Sequence, residues 1–166
     1  MTIRVELQVA EDAAAPPDTD QFCRWASAAI TGRTENTELT IRIVSEAESA
    51  ALNERFRNRK YATNVLAFPA TLPDEIDLAV LGDLAICGEV VQREAGEQGK
   101  PVEAHWAHMV VHGTLHLVGY DHETQMQANE MESLEVQILR GLGYPDPYLP
   151  VGETGEHASV TGTGAE

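Results

Sequence analysis

The chain has 166 residues, 43% of them apolar, and carries 27 acidic against 11 basic side chains, a net charge of −16. Such a length suits one domain with a sizeable core, and no run is apolar enough to be a transmembrane helix. The acidity argues against broad nonspecific nucleic-acid binding, so an anionic substrate would have to be gripped by a local basic patch.

Ile3, Val5, Leu7 and Val9 alternate with polar residues and predict a half-buried strand; the same stretch lacks the basic-then-apolar layout of a signal peptide. Residues 10–17 are an Ala/Pro loop. Asp18, Thr19 or Asp20 can cap a helix with Phe22, Trp25, Ala26, Ala29 and Ile30 on one stripe, ending near Gly32. Leu39, Ile41 and Ile43 predict a second strand. Ser45 with Glu48 reads as a capping box opening a helix through Leu52 and Phe56. Residues 55–60, Arg-Phe-Arg-Asn-Arg-Lys, then hold four of the eleven basic side chains. Thr63 to Phe68 reads as a strand closed by Pro69, residues 70–77 as an acidic loop, and Leu78 to Cys87 as a central strand interrupted at Gly82-Asp83. Helices are expected from Gly88 to about Gly99 and from Pro101 onward, the latter with the stripe Val102, Trp106, Met109, Val110 and Leu117. A last helix starts at Glu123 or Thr124 and carries Met131, Leu134, Ile138 and Leu139 on one side, ending at Gly141 to Gly143. From Pro150 the chain is Gly/Thr/Glu-rich and reads as a disordered tail. Cys23 and Cys87 form no metal motif and read as buried thiols in a reducing cytosol. This order predicts an α+β fold: a single domain over residues 1–149, with a small mixed sheet and packed helices, and a tail over 150–166.

The stretch from His112 to His122 carries the chemistry. On a helix, His112 and His116 lie on one face, about 40° apart around the axis. Gly119 suits a left-handed helix stop, after which the chain can fold back and bring His122 to the same point. Three imidazoles would leave a fourth position of a tetrahedral zinc open to water, as in a catalytic site. The spacing is that of zincin-like metallopeptidases of the metzincin type, except that Gly113 stands where those enzymes carry their general-base Glu. Asp121 could orient a ligand imidazole or simply form a turn, and Asp83 reads as a turn or bulge residue. His105, His108 and His157 lack ligand spacing; His108, four before His112, reads as packing against the site. Glu89 and Glu123 could supply a carboxylate only through tertiary placement.

These residues resemble a known family. His112-Gly-Thr-Leu-His116-Leu-Val-Gly-Tyr-Asp-His122, Asn53 to Pro69 and Leu81 to Cys87 together are similar to the YbeY endoribonucleases, or rRNA maturation factors, with Phe56 where Tyr is common and Ala67 where Ser is common. The resemblance implies a zinc-dependent, single-strand-directed RNase acting in 16S rRNA 3′-end maturation and ribosome quality control in the bacterial cytoplasm. It implies one Zn2+ on His112, His116 and His122, with Arg57 as the important arginine of the cleft. Arg57 and His112 are the expected catalytic residues; Arg55, Arg59 and Lys60 are expected to bind RNA. Guanidinium chemistry agrees, since its planar, permanently charged fork suits phosphate oxygens. The expected partners are single-stranded RNA, rRNA and the small ribosomal subunit, with neither DNA nor membrane. The alternatives are a zincin-like metallopeptidase and a ribosome-assembly factor whose zinc is mainly structural.

Overall fold

The computed structural model describes residues 3–30, 37–70 and 80–149. The expected acidic loop at 70–77, apart from Ala70, lies outside these residues, as do Gly32, the expected strand start at Leu78, and the tail from Pro150 with His157. The elements run β1 (Ile3–Val9), α1 (Thr19–Ala29), β2 (Thr37–Val44), α2 (Glu46–Arg57), β3 (Val65–Pro69), β4 (Val80–Cys87), α3 (Gly88–Gln98), α4 (Val102–Leu117) and α5 (Gln125–Leu142). The fold is α+β, with a mixed sheet in the order β1-β2-β4-β3. β1, β2 and β4 run parallel, and β3 pairs antiparallel with β4 as an edge strand.

Strand alternation sorts side chains to two faces. Leu39, Ile41, Ile43, Val65, Leu84 and Ile86 enter the main core with Phe22 and Trp25 of α1, Trp106, Val110 and Val111 of α4, and Met131 and Leu139 of α5. Phe22 stands edge-on to both Trp25 and Trp106, with centroids 5.7 Å apart in each pair. Such pairs add about 0.5–1.5 kcal/mol each beyond their buried area. Val44, Leu66, Ala85 and Cys87 face the other way and meet Leu52 of α2. α4 and α2 therefore cover opposite faces of the sheet.

Helix starts follow their caps closely. Asp18 and Thr124 form capping boxes with Gln21 and Gln127. α1 ends earlier than expected, at Ala29 with Ile30 as its cap. Ser45 accepts from the Glu48 backbone, but the reciprocal half of the expected box is absent: the Glu48 carboxylate is held instead by Arg42, at 2.8 and 3.1 Å. Pro101 caps α4 from one position before its first residue. Val102, expected in the apolar stripe, is 42% exposed.

β4 is continuous through Gly82 and Asp83, and the expected irregularity is a register shift against β2 that leaves Leu81 unpaired, while Asp83 itself pairs with Thr40. Gly82 has φ +139°, and a Cβ there would collide with the Phe68 carbonyl oxygen and approach the Ala70 nitrogen to 2.9 Å. Glycine is the residue that tolerates both the backbone and the approach. Cys87 is buried and Cys23 partly so, and both are free thiols. No helix among the described residues is long and apolar enough to cross a membrane.

Candidate metal centre and basic helix end

α4 is buried over most of its length, so its positions divide between sheet, neighbouring helices and one open side. Gly113 faces the sheet. A Cβ there would lie 2.7 Å from Leu84 Cδ2 and 3.2 Å from Val65 Cγ2. The site of the peptidase base is thus a close helix–sheet contact with no room for a glutamate. His112 and His116 face the open side instead. α4 ends in a Schellman turn: Gly119, φ +112°, donates to the His116 carbonyl at 3.1 Å, and Tyr120 donates to that of Leu115 at 3.0 Å. This reversal brings back His122, whose backbone N–H is fixed at 2.7 Å by the Asp121 carboxylate. This bond holds the Asp121 pKa down.

One ring nitrogen of each of His112, His116 and His122 falls within 4.8 Å of the other two. His116 and His122 lie 4.9 Å apart between ring centroids, and His112 and His116 4.8 Å. His116 Nε2 is buried and has no hydrogen-bond partner among the described residues. An unpartnered buried nitrogen among two further imidazoles is the donor set a zinc-like ion takes. Burial, aided by His112 and His122, lowers the His116 pKa to about 4, keeping it a neutral donor. The three residues fit a metal ion.

Behind them lies a residue that sequence reading missed. Glu135 of α5 is 0% exposed. Its carboxylate accepts from His112 Nδ1 at 2.6 Å, from His108 Nε2 at 2.8 Å and from the Tyr148 hydroxyl. Burial alone would raise its pKa, but the bonds from His108 and His112 outweigh this and hold it well below the carboxylate range. Burial lowers the pKa of His108. The signal was available: Glu135 falls between Met131 and Leu139 at helical spacing, a charged residue on the apolar stripe. His108 packs behind the site as expected. His105 instead meets Glu94 at 2.8 Å, and Glu94 also accepts from Asn64 Nδ2 at 3.1 Å, tying α4 and α3 to the start of β3.

A cavity of about 140 Å³ opens beside His112 and His122, lined also by Ala128, Met131, Glu132, Glu135 and Tyr148. Burial and the proximity of Glu135 raise the Glu132 pKa. Glu89 is elsewhere, accepting from the backbone N–H of Glu46 at the start of α2. Glu123 is exposed just before α5.

The basic residues are not part of that cavity lining. Arg55 and Arg57 occupy the last turn of α2. Asn58 follows as a left-handed cap at φ 60°, then Arg59 and Lys60; all four basic residues are exposed. The turn is sewn back onto α2 by Asn53 Nδ2 on the Tyr61 carbonyl (2.8 Å) and by Ser49 Oγ, which donates to the Thr63 carbonyl and accepts from its N–H (both 2.9 Å). Phe56 stacks edge-on to Phe68 of β3, with centroids 5.0 Å apart. The basic helix end and the metal helix thus reach the same edge strand from opposite faces.

Residues 9–143 match the sequence model of the family described as Endoribonuclease YbeY. A protein of Pseudomonas entomophila called Endoribonuclease YbeY is 56% identical over 147 residues, 88% of this chain and 93% of that one. Two Pseudomonas putida proteins of the same name are 54% identical over the same shares. Among solved structures, the fold matches that of a Thermotoga maritima protein determined in solution, with a TM-score of 0.53, 22% identity, and coverage of 86% of this chain and 92% of that one.

Proposed function

The chain belongs to the Endoribonuclease YbeY family, and from that premise we propose that it is a zinc-dependent, single-strand-directed endoribonuclease of 16S rRNA 3′-end maturation and ribosome quality control. The observation that carries the metal dependence is the partnerless His116 Nε2 within reach of His112 and His122. These three histidines would hold the ion. When bound, it supplies Lewis acidity and a water with a pKa of about 7 as nucleophile. Arg57 serves as the charge donor for the non-bridging oxygens of the scissile phosphate, which acquire charge in the transition state. Arg55, Arg59 and Lys60 hold flanking phosphates. A single strand crossing the β3 edge would meet the basic helix end and the histidines together, whereas the acidic remainder of the surface would repel it. Residues 1–149 form the catalytic domain, and the setting is the cytoplasm, on the small ribosomal subunit.

The peptidase reading is disfavoured by Gly113, where no base can be placed. A mainly structural zinc is disfavoured by a set of three ligands among the described residues, one fewer than a closed site takes. The decisive experiment is cleavage of a single-stranded RNA with and without chelator, beside a peptide substrate and with zinc content measured. RNA cleavage that is lost with the metal, and lost with zinc content in His116→Ala, is expected. Chelator-resistant RNA cleavage, or cleavage of the peptide alone, overturns the reading.

A further inference from the structure

Glu135 is a fully buried carboxylate, an arrangement that folding alone has no reason to favour. Its bonds are directional. Accepting from His112 Nδ1 assigns the proton to that nitrogen and leaves Nε2 with the lone pair. The opposite oxygen is saturated by His108 Nε2 and the Tyr148 hydroxyl. His108 is buried, and its Nε2 also lies 3.3 Å from the Tyr148 hydroxyl. Tyr148 belongs to a C-terminal segment strapped across the helices: Lys100 Nζ donates to the Pro147 carbonyl, Asp146 accepts from the Tyr148 N–H at 2.8 Å, and Trp25 Nε1 donates to the Tyr144 hydroxyl at 3.2 Å. This segment lies beyond the residues matched by the family model, which end at 143.

His108, His112 and Glu135 could also be read as a metal site of their own. The distances oppose that. Two donor atoms 2.6 Å apart, as in the His112–Glu135 pair, would subtend only about 80° at a zinc bonded at 2.0–2.1 Å, well short of a tetrahedral angle. They are hydrogen-bond distances.

We propose that Glu135 is a positioning residue: its carboxylate, anchored by His108 and Tyr148, fixes the tautomer and ring orientation of His112 as a metal ligand. The proposal rests on the reading of His112, His116 and His122 as the ligands and extends it to α5 and the C-terminal strap. Carboxylate-oriented imidazoles of this kind strengthen metal binding, and losing the partner lowers affinity about 10–100-fold.

The test uses the full chain. Nitrogen NMR of the metal-free protein reads the His112 tautomer, and zinc affinity is measured by competition with a chelating dye. Wild type should show His112 protonated at Nδ1. Glu135→Gln offers one acceptor and one amide donor, so it cannot accept from both imidazoles. The single tautomer should be lost and zinc affinity should fall about 10–100-fold. Glu135→Asp keeps the charge but is one methylene short, and should also bind more weakly. Tyr148→Phe removes one hydroxyl from a partly buried position, leaves the fold least disturbed, and should cost a severalfold loss in affinity. Wild-type affinity in Tyr148→Phe, or an unchanged tautomer and affinity in a folded Glu135→Gln, overturns the proposal while leaving the three ligands standing. A wild-type chain that takes up no zinc overturns the ligand assignment itself.

Discussion

Arg57 stands exposed in the last turn of α2 with its neighbours Arg59 and Lys60 beyond the helix cap. If it stabilises charge that develops only in the transition state, Arg57→Ala lowers single-turnover cleavage at saturating RNA by about 10²–10³-fold. Lys at that position rescues in part, because a point charge cannot reproduce the bidentate fork. Arg59→Ala and Lys60→Ala should weaken binding and flatten its salt dependence with a smaller effect on turnover. Wild-type turnover in Arg57→Ala at saturating RNA assigns the residue to the solvated surface. His116 supports a separate expectation for the metal-free chain. Its pKa falls from 6.5 to about 4 on folding, so the unfolded chain takes up the proton first. Stability is fully present above pH 6.5 and is lost as the pH falls towards 4. Burial of His108 acts in the same direction. Denaturant midpoints measured across this window should drop for wild type and drop less for His116→Gln; parallel curves would refute the shift.

At the scale of elements, α4 touches the sheet at Gly113 while turning its histidines the other way. Gly113→Ala pushes a methyl to 2.7 Å from Leu84. Such overpacking should cost about 1–3 kcal/mol by chemical denaturation. Gly141 in α5 is the control, because nothing lies within 4 Å of its added Cβ. Gly141→Ala should be neutral or stabilise by up to about 1 kcal/mol, through reduced freedom of the unfolded chain. Equal costs at the two positions would mean that helix–sheet spacing at Gly113 is not limiting. The basic turn after α2 is likewise held by element-scale bonds, with Ser49 and Asn53 pinning it to the helix it leaves.

For the whole molecule, the C-terminal strap joins three layers: Trp25 of α1 and Lys100 before α4 hold it, and Tyr148 reaches Glu135 of α5. A chain ending at Leu149 should therefore unfold at the wild-type denaturant midpoint and keep its zinc. One ending at Gly143 loses Tyr144 and Tyr148 and should unfold earlier, with weaker zinc binding. Identical midpoints and zinc affinities for the two truncations would remove any role for the strap.

Local pattern was enough for much of this protein. The caps at Asp18, Ser45 and Thr124, the strands β1 and β2, the Gly119 turn and the spacing of His112, His116 and His122 are each written within a few residues, because periodicity and capping act over one or two turns. The motif around the histidines also carried the family. Tertiary packing decided the rest. The insertion of β4 between β2 and β3 is a choice among strand pairings that alternation does not encode. The need for glycine at 113 arises only when Leu84, 29 positions earlier, meets it across the sheet. Glu135 acquired its partners when α5 laid it against α4 and the strap supplied Tyr148, since a buried charge is tolerated only where the fold brings donors to it from other elements.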